Sequence, residues 1–286
     1  MTRTGTPIAT SATVNQAGPD TRATSFAPGA RRGVDGAGRI VAFSFGVLRE
    51  LPIALRLYPS EVFRHAGLLI VQNAAVVLSM VFMYGALLSI ALHSIMTNVG
   101  IGSFVASPHT IGDLRGVLAA VFGWIFAAKV GCGIVAEVGA MRISDEIDAM
   151  EVMGIRSVPY LAGTRVLAVL FVLPFLWSVA LAVEFAAGYL FNVVLLRSVS
   201  AGGYFDVLFL LQNMTDFVYS VSWATLFALI ITLVSCYYGY YVRGGPVNVG
   251  RNTAKAMLVN LVMISLTMMV LIQLLYGNNP NTPIGN

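Results

Sequence analysis

Residues Val166–Leu196 read VLAVLFVLPFLWSVALAVEFAAGYLFNVVLL, a run whose single charge is Glu184, closed by Arg165 and Arg197. A helix rises about 1.5 Å per residue, so about 20 such residues cross the hydrocarbon of a bilayer and a longer run leaves room for tilt. A helix that is apolar all round for this length belongs in lipid or in a large core. Four more stretches read the same way: Ala66–Leu92, Gly116–Ala140, Phe217–Val242 and Ala256–Tyr276. Of the 286 residues, 57% are hydrophobic and 10% charged, against roughly 25% charged in a soluble domain. A soluble fold, a collagen, a disulfide scaffold and a disordered chain are all excluded. The fold class that follows is an all-α membrane protein with five transmembrane helices.

The flanks of the spans set their direction. Fourteen Lys and Arg residues fall in the amino-terminal segment, in 141–165 and in 243–255, against Arg115 and Arg197 in the alternate loops. Basic loops stay in the cytoplasm, so the amino terminus is expected inside and the carboxyl terminus outside, in the plasma (inner) membrane. Residues 1–38, rich in Thr, Ser, Ala, Gly and Pro, are expected to form a disordered cytoplasmic tail. Over 39–65, Ile40, Phe43, Val47, Leu51, Leu55 and Tyr58 recur at helical steps opposite Arg49 and Arg56. That pattern predicts an amphipathic helix in the headgroup plane, or one packed on a partner, bent at Pro52 and interrupted at Pro59. Residues 66–277 form the membrane domain and 278–286 a short outer tail.

Several chemistries lack their residues. Cys132 and Cys236 stand far apart in apolar stretches and read as buried free thiols. Lys129 and Lys255 are the only lysines, and neither lies in a phosphate-cradling glycine loop. His65, His93 and His109 are scattered, so no metal-ligand set and no catalytic residues are expected. A net charge of +4 is no footprint for nucleic acid. Inside the spans, Lys129, Glu137 and Glu184 are the polar candidates. Lys129 and Glu184 are the deepest, expected as a structural pair or else as a proton or ion relay, while Glu137 lies near the cytoplasmic end. Ala119, Gly123, Ala127 and Gly131 repeat every four residues in the second span, a ladder that lets helices approach closely within the bundle or at a subunit contact.

Ala136–Ile155, AEVGAMRISDEIDAMEVMGI, lies in a loop yet is patterned. Ser144 can cap a helix opening on Asp145 and Glu146, and Gly154 can end it. At 100° per residue, Ile147, Ala149, Met150 and Met153 share a broad face with Glu146 in its middle, and Asp148 and Glu151 stand opposite. A methionine face on a cytoplasmic helix suits a partner's groove, or dips into lipid.

This run resembles the signature of the MlaE/YrbE permease family. So do Glu61–Ala66 before the first span and Asn248–Ala254 before the last, and the likeness covers about residues 40–277. The resemblance implies a permease subunit of an ABC transporter that moves lipids with Mce-type substrate-binding proteins. It implies an ATPase dimer, which would bind ATP and Mg so that this chain holds no cofactor itself, and a second permease subunit, homologous or identical. It makes Glu146, Ile147, Ala149, Met150, Met153 and Gly154 the ATPase-coupling segment, and matches Lys129 to a basic position of the second span. Many members open that span with R-E-L-G-P, where this chain reads Arg115-Gly116-Val117-Leu118-Ala119. The departure fits a specialised member of a heterodimer of the actinobacterial YrbE type. Two other readings stand beside this one: a secondary transporter using Lys129 and Glu184, and a membrane-embedded enzyme using the Asp145/Asp148 cluster.

Overall fold

The computed structural model describes residues 28–277, and among these there is no strand. The chain divides into two units, Met1–Arg39 and Ile40–Asn286. The first contributes the start of helix α1 (Pro28–Leu57), and the second holds the remaining helices: α2 (Pro59–Asn98), α3 (Ser107–Leu114), α4 (Val117–Phe126), α5 (Cys132–Ile143), α6 (Glu146–Val152), α7 (Thr164–Tyr189), α8 (Ala201–Leu210), α9 (Met214–Tyr240) and α10 (Pro246–Tyr276). π-Helical turns join α4 to α5 (Ala127–Gly131) and extend α7 at both ends (Pro159–Gly163 and Leu190–Leu195). Among the described residues, five helical stretches are long and apolar enough to cross a membrane: Pro59–Asn98, Val117–Ile143, Pro159–Leu195, Met214–Tyr240 and Pro246–Tyr276. Each coincides with an expected span.

The amino-terminal boundaries differ from those the sequence suggests. Helix α1 begins at Pro28, within the expected tail of 1–38, and the interruption expected at Pro59 divides it from α2, which runs from there into the first span ahead of the expected bound at 66. The cause of the break is local: Tyr58 precedes a proline, which disfavours the helical region, and Pro59 then opens α2 at a position where its missing N–H costs nothing. Pro52 is carried inside α1. Part of the apolar stripe of α1 is covered by the protein's own spans, at Phe43, Val47 and Leu51, while Leu55 stays exposed. Val47 and Ala54 are fully buried, and Phe43 sits 5.7 Å from the ring of Tyr237 and 5.8 Å from that of Tyr241. Residues 1–27 and the expected outer tail 278–286 lie outside the described residues.

Helix α9 packs between α4–α5, α7 and α10, while α2 lies along α7. The core joins Phe122, Phe126, Trp177, Trp223, Phe227 and Ile231, with the Phe122 and Trp177 rings edge to face at 5.2 Å. Ala119, Gly123, Ala127 and Gly131 are all buried within the chain. A Cβ on Gly131 would lie 3.0 Å from Ile231 and from Ser235 of α9, so the ladder serves packing inside this bundle. The loops expected between spans one and two and between spans three and four carry short helices, α3 and α8. They pack through Ala106, Tyr204 and Leu208. Ser200 caps α8 by accepting a hydrogen bond from the Gly203 N–H.

Candidate functional site

The turn from α5 into α6 is set by backbone conformation. Asp145 takes the left-handed region at φ 58°, and its side chain caps nothing. Ser144, expected as the cap, instead closes α5: its hydroxyl donates to the Ala140 carbonyl at 3.0 Å and lies 2.9 Å from Glu146 Oε1. At the other end the expectation holds. Gly154 stands at φ 81°, its N–H donates to Glu151 O and that of Ile155 to Met150 O, the paired bonds of a Schellman stop.

Polar contacts fix the rotation of α6. Arg142 pairs with Asp148 at 2.5 Å, and Glu151 Oε1 accepts from Ser157 Oγ and from the Tyr240 hydroxyl. Ile147 is therefore fully buried in the core, and Met150 packs against it. Glu146, Ala149, Val152 and Met153 look outward, Val152 at 89% exposure and Met153 at 69%. This corrects the expected face. Ile147 and Met150 turn inward, Glu151 is held against the bundle, and Val152, which sequence reasoning passed over, is the most exposed apolar residue of the segment. Its place beside Met153 was the available signal. Asp145 and Asp148 do not converge on a cavity, since Asp148 is committed to Arg142.

Residues of α2, the second span and α7 line an open pocket of about 310 Å³. Its polar lining includes His65, Gln72, Lys129, Glu137 and Arg165. Arg165 is buried, bridging Glu137 Oε1 at 2.8 Å and donating to the Leu161 carbonyl. Lys129 projects from the π-helical turn of the second span, a local widening that re-aims side chains and often marks function.

Glu184 does not meet Lys129. It stands at the level of Gly85 of α2, whereas Lys129 lies level with Leu69–Asn73. Twelve residues of helix, roughly 18 Å, separate those levels. Glu184 instead meets His109 of α3, with Nδ1 2.5 Å from Oε1, and both are fully buried. Asp113, one turn along α3, is also buried and accepts from the Tyr84 hydroxyl at 2.8 Å. Burial pushes the His109 ring below its usual range, against the pull of Asp113. Burial first, then the neighbouring Glu184, holds the Asp113 carboxyl well above the usual carboxylate range. The expectation that no metal-ligand set exists is revised by this convergence of His109, Asp113 and Glu184.

The departure at Arg115-Gly116 has a structural reason. Gly116 adopts φ 112°, and a Cβ there would fall 1.8 Å from the Trp223 indole, so this backbone tolerates no side chain in the place where an acid stands in R-E-L-G-P. Arg115 bridges to Asp216 at 3.1 Å and lies over the ring of Tyr276, whose hydroxyl also donates to Asp216.

Residues 62–274 match the family model described as Permease MlaE. The chain is 26% identical over 239 residues to a probable ABC transporter permease protein of Rickettsia typhi, covering 84% of this chain and 92% of that one. It is 28% identical over 176 residues to a probable ABC transporter permease protein of Synechocystis, covering 60% and 64%. It is 25% identical over 175 residues to the chloroplastic protein Trigalactosyldiacylglycerol 1 of Arabidopsis thaliana, covering 61% and 50%.

Proposed function

Since the chain belongs to the MlaE permease family, we propose that it is the membrane subunit of an ABC transporter that carries lipids across the plasma membrane, driven by a separate ATPase docked on α6. The observation that carries this reading is the form of α6. It is a seven-residue helix between two spans, pinned to the bundle by Ile147, Arg142–Asp148 and Glu151, that turns Val152 and Met153 outward. Exposed apolar side chains on a rigid mount suit a protein groove, and Glu146 at their edge suits a basic group on its rim.

On this reading residues 141–165 and 243–255 face the cytoplasm, as does the amino terminus. ATP and Mg are bound by the ATPase dimer and not by this chain. A second permease subunit, related to this one, completes the path, and Mce-type proteins receive or deliver the lipid on the outer face. The pocket beside Lys129 offers an amine to a fatty-acid carboxylate or a phospholipid headgroup. A relay through Lys129 and Glu184 loses its geometric basis, because Glu184 is held by His109.

The test is purification of the tagged chain from its native membrane. An ATPase and a second permease should co-purify, and the chain stripped of them should bind no ATP. Saturable nucleotide binding by the isolated chain, or purification without any ATPase, would overturn the reading.

A further inference from the structure

The cluster at the other end of the bundle is not used by this function. His109 and Asp113 are spaced i, i+4 on α3, which puts both on one face, and that face meets Glu184 of α7. One ligand atom from each residue lies within 4.8 Å of the others, and all three side chains are fully buried.

The hydrogen bonds around the cluster define what it lacks. Ser89 Oγ donates its proton to the Gly85 carbonyl at 2.9 Å and accepts from Asn192 Nδ2 at 3.1 Å. Its remaining contact is His109 Nε2, also at 3.1 Å, and Asn192 Nδ2 stands 3.5 Å from the same ring nitrogen. His109 Nδ1 faces the two carboxylates, 2.5 Å from Glu184 Oε1 and 3.9 Å from Asp113 Oδ2, and when the ring carries its proton on Nε2 it presents them a lone pair. An outer hydrogen bond at Nε2 is what orients a ligating imidazole. Asp113 Oδ2 and Glu184 Oε2 are buried without a hydrogen-bond partner.

Two ionised carboxylates bring a charge of −2 into this space, and His109 can return only +1. A proton shared between Asp113 and Glu184, which stand within hydrogen-bond reach of each other, neutralises only one of the two carboxylates. A divalent cation supplies the full charge, takes the Nδ1 lone pair and occupies both orphaned oxygens. One nitrogen and two carboxylate donors suit a first-row ion better than Ca²⁺ or Mg²⁺, which call for more oxygens.

We propose that His109, Asp113 and Glu184 bind one first-row divalent cation, Zn²⁺ or Mn²⁺, which staples α3 to the third span. Ligand atoms about 2.0–2.2 Å from a tetrahedral ion stand roughly 3.4 Å apart, so His109 Nδ1 and Glu184 Oε1 separate by about 1 Å when the ion enters. Tyr84 and Ser89 of α2 then serve as outer hydrogen-bond partners, which extends the staple to the first span.

The experiment is metal analysis of the full-length protein, purified in detergent through a tag without histidine, stripped with chelator and dialysed against Zn²⁺ or Mn²⁺. The wild type should retain about one equivalent of one of these ions and gain thermal stability on binding it. Asp113→Asn/Glu184→Gln should lose the ion at least tenfold, while Asp148→Asn, outside the cluster, retains it. Less than about half an equivalent in the wild type with either ion overturns the proposal, whatever the variants do. So does equal retention by the double variant. Because the wild-type measurement decides by itself, a variant that fails to fold does not rescue the idea.

Discussion

The double substitution Val152→Ala/Met153→Ala separates docking from folding at α6. Both side chains are largely exposed in this chain, at 89% and 69%, so trimming them leaves folding stability within about 0.5 kcal/mol. If a partner groove buries them, valine loses two methyl-sized groups and methionine three heavy atoms. At about 0.8 kcal/mol per buried methylene these come to about 1.5 and about 2 kcal/mol. A combined loss near 3.5 kcal/mol weakens ATPase binding roughly 300-fold. Ile147→Ala is the contrasting variant: it opens a cavity under a fully buried side chain, costs about 2–5 kcal/mol of folding stability, and loosens the mount of the helix. The assay is titration of the ATPase onto detergent-solubilised permease at matched folding, judged by thermal unfolding. Binding by Val152→Ala/Met153→Ala within about twofold of the wild type would refute the assignment of that face.

Other perturbations test separate steps. Gly116→Ala drives a Cβ into the Trp223 ring and forces a left-handed backbone on a residue with a side chain, so it should destabilise the protein by about 3 kcal/mol or more; an unchanged unfolding temperature would show that the turn there relaxes freely. Cysteines at Val99 and at Val152, both exposed in loops at opposite ends of the spans, should be labelled by an impermeant thiol reagent in intact cells at Val99 only; labelling at Val152 alone would invert the topology.

How legible the molecule is from its sequence depends on how local each cause is. The five spans follow from composition, since an apolar run of that length has few other places to be. The stop at Gly154 is equally local: a glycine after a helix reads as a left-handed cap, and at φ 81° it is one. The start of α6 is not, because Ser144 has two nearby backbone acceptors at the end of α5 and takes the Ala140 carbonyl. Helical spacing groups Ile147 with Met150 but cannot say which face is inside; that is decided by Arg142, Ser157 and Tyr240 acting on Asp148 and Glu151. The partner of Glu184 was hidden for the same reason. His109 lies 75 residues away in a stretch that reads as loop, and only the His109–Asp113 spacing hinted that α3 presents a polar face inward. Depth in the membrane alone points to Lys129, and the different levels of Glu184 and Lys129 along α2 defeat that inference.

The central claim is that this chain moves lipid under the control of an ATPase seated on α6. It is tested most directly in proteoliposomes that hold the complete purified complex and a fluorescent phospholipid or fatty acid, by following lipid transfer to an external acceptor after adding ATP. The account predicts ATP-dependent transfer that Val152→Ala/Met153→Ala abolishes while the variant permease remains folded in the membrane. Lipid movement at the same rate without ATP, or ATP-driven transfer unaffected by the double substitution, would contradict it.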